Sequence, residues 1–183
     1  FPNSSPSYSN YGTIGLLQMP SARFHKEGTV AFNWVNNKPY QQGSVLAYPF
    51  DWLEASFQYA DINNALYSDV ESFSGKQTYK DKGFSTKVRL LRESTYLPSI
   101  AAGFRDIAGT GTFAAEYLVA SKRVNNIDFS FGLGWGDLSY NNLKNPMTYL
   151  SDNFNQRTFI SNTQGGDFSL SLIHISEPTR LGM

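Results

Sequence analysis

Cysteine is absent from the 183 residues, which excludes disulfides, thiolate nucleophiles and zinc–cysteine sites and leaves the redox compartment open. A charge excess of either sign is absent too. The 15 basic residues balance 15 acidic ones, so the chain lacks the footprint of a nucleic-acid or anionic-surface binder. No apolar run reaches the ~18–20 residues that a spanning helix needs. Histidine is scarce: His25 and His174 are the whole supply, and His25 sits in a turn-like stretch, a poor start for a Ser-His-Asp triad. No cluster has metal-ligand spacing, and the Asp and Asn residues of 61–69 lack the order of a calcium loop. No cofactor is expected.

Aromatic residues, by contrast, make up 15% of the chain against only 16% charged residues, a low charge content for a soluble domain. Mean hydropathy is nevertheless −0.36. Many aromatics with a hydrophilic average suit strands that are apolar on one face. Residues 112–135 show this most clearly and read as a β-hairpin. In the first arm Phe113, Ala115, Tyr117, Val119 and Ser121 alternate with Ala114, Glu116, Leu118, Ala120 and Lys122. In the second, Ile127, Phe129, Phe131, Leu133 and Trp135 alternate with Asp128, Ser130, Gly132 and Gly134. Strand side chains alternate between faces, so the aromatics gather on one side and small or charged residues on the other. The arms meet at Val124-Asn125-Asn126, where Asn tolerates tight-turn geometry.

The same period recurs along the chain. Phe1–Tyr11 reads as an irregular lead-in, and Ile14–Met19 as a short strand or inserted segment stopped by Pro20. Val30, Phe32 and Trp34 mark the first clear strand, and Val45–Phe50 the second, with Pro49 signalling a bend or bulge. Leu53, Ala55, Phe57 and Tyr59 alternate with Glu54, Ser56, Gln58 and Ala60. Residues 61–82 read as a long polar connection, of the kind that is often functional. Phe84, Thr86, Val88 and Leu90 then oppose Ser85, Lys87 and Arg89, and Ile100, Ala102 and Phe104 oppose Ala101, Gly103 and Arg105. Residues 136–156 form a second long connection, and Arg157–Ser161 one more short strand. The expectation is an all-β fold of seven or eight strands, an antiparallel up-and-down sheet forming part of a transmembrane outer-membrane β-barrel. Such a barrel has an aromatic outside and a polar, water-filled lumen.

On this reading Glu54, Ser56, Lys87, Arg89, Arg105, Glu116, Lys122 and Asp128 face the lumen. Trp34, Trp52 and Trp135, with eleven tyrosines, suit interfacial girdles, sugar-stacking platforms or a sandwich core. Gly132, Gly134 and Gly136 spell G-x-G-x-G, but no helix follows, so the spacing reflects a crowded lumen or a bend rather than a nucleotide loop. Two alternatives stay open. One is a polysaccharide-modifying enzyme using Asp51 with Glu54, or Glu116 with Asp128, as a carboxylate pair. The other is a soluble β-sandwich glycan-binding module, which needs two packed sheets.

Four blocks together resemble the YjbH/GfcD family: NYGTIGLLQMPSARF (10–24), FDWLEASFQYADIN (50–63), YKDKGFSTKVRLLRESTYLPSIAAGFRDIAGTGTFAAEYLVASKR (79–123) and DFSFGLGWG (128–136). That resemblance implies a bacterial outer-membrane protein, usually a lipoprotein, that serves production or export of exopolysaccharide or capsule. It implies a non-enzymatic role, with outer-membrane lipid, polysaccharide and other secretion proteins as partners. The lumen set would then offer hydrogen bonds and mixed charge to a passing glycan.

Family members run to several hundred residues with a signal peptide and a lipidated cysteine, and the chain opens at Phe1 with neither initiator Met nor an apolar leader. Residues 1–169 are therefore expected to be a partial barrel domain of a longer protein. Leu170–Arg180 reads LSLIHISEPTR, residue for residue the in-frame translation of a transposase library adaptor. Residues 170–183 are accordingly expected to be a non-native tail.

Overall fold

The computed structural model describes residues 6–67, 71–109, 113–139, 143–151, 154 and 166–175. Ten strands are described: β1 (Gly15–Leu16), β2 (Met19–Pro20), β3 (Val30–Asn37), β4 (Tyr40–Phe50), β5 (Leu53–Leu66), β6 (Thr78–Leu91), β7 (Ser99–Gly109), β8 (Ala115–Val124), β9 (Ile127–Gly136) and β10 (Gly166–Ile175). β3 to β10 form one eight-stranded sheet in sequence order, each strand antiparallel to the next. This is the expected up-and-down sheet, curled into a half-barrel. It is one layer of strands, not the two facing sheets of a sandwich. β1 and β2 pair only with each other. No described helix exceeds one turn; there are Glu71–Ser74 and a 3₁₀ turn at Pro146–Tyr149. β10 includes residues 170–175 of the tail, while the strand expected at Arg157–Ser161 lies outside the described residues.

The curl has local causes. Register shifts interrupt the ladders between Ala47 and Phe50, around the proline expected to bend the chain, and between Ile62 and Leu66. Another lies between Phe84 and Thr86. There Asp106 takes a φ of 52° and its N–H donates to Ser85 Oγ at 3.0 Å. Each bulge bends its strand and increases the twist.

Residues 61–82 do not form one long connection. β5 runs on to Leu66 and β6 starts at Thr78. Polar side chains satisfy one another across this extension, since Asp61 is held by both Lys80 and Thr78. The ladder therefore continues beyond the apolar part of the strands.

The alternation in β5, β6 and β7 is as read from sequence. Glu54, Ser56, Gln58 and Ala60 are buried on the concave face, while Ala55, Phe57 and Tyr59 are exposed on the convex face. The β8–β9 hairpin departs from expectation. Its turn has two residues, Asn125 and Asn126, with Val124 opposite Ile127. Tyr117, Val119 and Ser121 consequently pair with Gly134, Gly132 and Ser130 on the concave side. Leu118 and Ala120 join Leu133 and Phe131 on the convex side. A three-residue turn would have placed the aromatics of both arms together; one residue fewer inverts the phase of one arm.

The concave side is not a water-filled lumen. Residues 7–25 cross it, and the three buried clusters lie between that segment and the sheet. Ala22 packs on Ala101, Tyr117 and Val119; Ile14 on Leu46 and Tyr48; and Tyr11 against Ala60, Ile62 and Phe113. A glycine makes room for the insertion. Gly12 has a φ of 78°, and a Cβ there would run into Ser44 Oγ. Gly134 makes room for a different neighbour, since a Cβ there would come within 2.8 Å of Leu138, which packs beside the Ala22 cluster.

Candidate functional site on the concave face

The inserted segment is held mainly by polar groups on the strand residues that face it. The Ala22 N–H donates to Ser121 Oγ at 2.9 Å, and its carbonyl accepts from Ser99 Oγ at 3.0 Å. Lys87 Nζ donates to the Arg23 carbonyl at 2.9 Å. The Arg23 guanidinium grips both oxygens of Asp128, at 2.8 and 2.6 Å, and also pairs with Glu93. Two-point Arg–carboxylate contact fixes direction as well as distance. The Phe24 ring carries Lys87 Nζ at 4.6 Å and Arg89 Cζ at 4.4 Å over its centroid.

Below Phe24 lies a buried ion pair. Lys87 Nζ is 3.0 Å from Glu54 Oε2, with side chains 0% and 1% exposed. Tyr48 donates to the same oxygen at 2.6 Å. Nearer the other end of the segment, Arg105 pairs with Asp137 at 2.5 Å and stacks over Tyr11 at 3.7 Å. Tyr11 also donates to Asp137 at 3.1 Å. Burial first, then the neighbouring Asp137 carboxylate, push the Tyr11 hydroxyl up to about 12 against the pull of Arg105. Glu93 moves the other way. Against the cost of its burial, hydrogen bonds from Arg23 and the Arg123 N–H hold its carboxyl below the usual range.

Six of the eight expected lumen residues lie on the concave face: Glu54, Ser56, Lys87, Arg89, Arg105 and Asp128. Four of these, Lys87, Arg89, Arg105 and Asp128, contact residues 7–25 directly. Glu116 and Lys122 do not face the lumen. The two-residue turn puts them opposite Trp135 and Phe129 on the convex side. Glu116 is covered there by Asn145, whose Nδ2 donates to it at 2.9 Å. Lys122 reaches the rim, bonding to the carbonyls of Ser94 and Thr95. Glu116 and Asp128 lie on opposite faces, and Asp51 sits in the β4–β5 turn against Arg92 while Glu54 is buried against Lys87. Among the described residues no group of three or more His, Asp or Glu is placed to hold a metal ion.

His25 ties the segment to β4. Its Nε2 is 2.7 Å from the Tyr8 hydroxyl, and its ring meets Tyr48 edge-on at 5.2 Å. Burial, with help from Lys87 and against Glu54, lowers its pKa below the usual 6.5. A depressed value in the folded state means that the neutral ring favours folding. That contribution is complete above pH ~6.5 and is lost as pH falls through the lowered value. Between pH 7 and 5 the melting temperature of wild type should fall more than that of His25→Gln. Parallel curves would rule the contribution out.

The family profile described as "Exopolysaccharide biosynthesis protein YbjH" matches residues 7–176, spanning both the inserted segment and the sheet. The "Uncharacterized lipoprotein YjbH" of Escherichia coli (strain K12) is 50% identical over 150 residues, which is 81% of this chain. The match covers 22% of that relative, so the chain spans about a fifth of its length. No solved structure matches.

Proposed function

We propose, for a chain that belongs to the YjbH family of exopolysaccharide biosynthesis proteins, that it is part of an outer-membrane β-barrel serving export of the polymer without catalysing its chemistry. The convex face carries this reading. Phe32 and Trp34 are 69% and 62% exposed. The ladder row of Phe32 continues through Val45, Phe57 and Phe84, and Leu118 and Phe131 extend the exposed band onto β8 and β9. Apolar patches on soluble monomers rarely exceed a few hundred Å², whereas a barrel wall in lipid requires such a band. The relative's printed name, a lipoprotein, fits a membrane setting.

Among the described residues β3 is an edge strand with one strand neighbour, and lipid cannot satisfy backbone groups left open at such an edge. The longer protein supplies the strands that close the wall. Inside, the ion-paired concave groups act as a polar lining that holds residues 7–25, in keeping with a binding rather than a catalytic role.

Residues 1–183 contribute no cysteine, so labelling at introduced positions can be scored against the full-length protein without them. Single cysteines at Phe57 and Phe84, and at Ser56 and Ser85, are introduced into the full-length protein in cells. The convex pair should resist a water-soluble maleimide and react with a membrane-confined one. Aqueous labelling of both convex positions would reject the barrel. Export is read separately, as polymer retained in cells lacking the gene; unchanged surface polymer would reject that half.

A further inference from the structure

We propose that the cavity between the inserted segment and the β3–β4 hairpin binds a short, uncharged saccharide unit, an inference that rests on the polysaccharide reading above. The cavity measures about 280 Å³, at the small end of ligand pockets, which run to about 300–1,000 Å³. That suits a short unit of a polymer rather than a long stretch of it.

Its lining supplies two kinds of group. Tyr11, Tyr40 and Phe113 bring rings together at angles. Phe113 lies 5.6 Å from Tyr11 at 60° and 6.0 Å from Tyr40 at 72°. Phe113 packs against both tyrosines and Arg105 covers one face of Tyr11, which leaves Tyr40, 38% exposed, as the ring most open to a ligand. Gln18, Asn37 and Gln42 bring side-chain amides, each able to donate and to accept. A pyranose matches both kinds, having C–H faces for the rings and hydroxyls that donate and accept in turn.

Charge narrows the class. Asp137 also borders the cavity, but Arg105 at 2.5 Å neutralises it and Tyr11 donates to it. Neither a cation nor an anion meets an uncompensated opposite charge at this pair, so a neutral ligand fits best. Position agrees as well. The cavity opens at the end of the sheet that carries the 67–77 and 137–165 connections. Long connections mark the extracellular side of an outer-membrane barrel, where an exported polymer emerges.

The test is calorimetric titration of the full-length protein in detergent with oligosaccharides from mild acid hydrolysis of the host strain's own exopolysaccharide. Wild type should bind saturably, and Tyr40→Ala should weaken binding about tenfold, equivalent to ~1.4 kcal/mol. Tyr40→Phe should retain most of the affinity. Tyr96→Ala, at an exposed tyrosine in the opposite-end turn, should bind as wild type does. Should Tyr40→Ala fail to fold, Gln18→Ala at the exposed hairpin tip takes its place, with a weaker but measurable loss. No binding by wild type, or equal binding by the cavity variants and wild type, overturns the proposal. The membrane reading is scored independently by cysteine labelling. A protected convex face without saccharide binding removes the cavity proposal alone, and an aqueous convex face with binding intact removes the barrel alone.

Discussion

Replacing Lys87 by methionine is expected to cost the folded state about 3–5 kcal/mol, because a buried carboxylate loses its counter-ion. Glu54 has no route to water: its side chain is 1% exposed, and its Oε1 already lacks a hydrogen-bond partner. Tyr48 alone would remain to stabilise the charge. Lys87 also holds the Arg23 carbonyl and the Phe24 ring, so the variant should loosen residues 22–25 as well. The second substitution, Glu54→Gln, removes the stranded charge and keeps an acceptor for Tyr48. The double variant should regain most of the loss, since replacing both members of a buried pair is often near neutral. Urea unfolding of the full-length protein in detergent measures both. A single-variant loss no larger than the ~0.5 kcal/mol of an ordinary surface change would mean that the pair is not buried as described.

The second large effect is on the convex face. Phe131→Arg should block assembly of the full-length protein into the membrane, at ~2–4 kcal/mol if the position lies near the bilayer midplane. Phe131 shares its ladder row with Ala120 and Ile100, neither of which can pair with a guanidinium. Phe73→Arg is the control. Phe73 is more exposed, at 75% against 38%, but lies in the 67–77 connection outside the sheet. Hydrophobic exposure alone would make Phe73 the more sensitive site; a lipid-facing wall makes Phe131 so. Recovery of folded protein in isolated membranes distinguishes the two. Equal recovery of both variants would contradict the wall.

What the sequence disclosed follows from the range of each interaction. Faces in β5, β6 and β7 were legible because period-2 alternation is local, which is why Glu54, Lys87, Arg89 and Arg105 could be assigned to one face of the sheet. The face of Glu116 and Lys122 was not, because it depended on whether Val124 belongs to the turn or to the ladder. A single residue of turn length moves every side chain of an arm to the other face. The inserted segment was the least legible part. Ser, Asn, Pro and Tyr near the start carry no strand or helix period, and their partners lie far along the chain. One signal was present: the concave positions Ser99, Gly103, Ser121, Gly132 and Gly134 are too small to fill a barrel by themselves. Something else had to occupy the space, and Arg23, Phe24 and His25 do so in part.

The insertion also has a kinetic consequence. Arg23 meets Asp128 across 105 residues, Ala22 meets Ser121 across 99, and Tyr11 meets Asp137 across 126. The β3–β4, β4–β5 and β8–β9 neighbours, by contrast, zip together through two-residue turns. Loop-closure entropy delays distant pairings until nearer ones exist. Residues 7–25 therefore dock late, after β8 and β9 have formed the surface that receives them. Among the described elements the inserted segment is secured last, and until then the sheet must hold its curl through its bulges and adjacent-strand ladders alone.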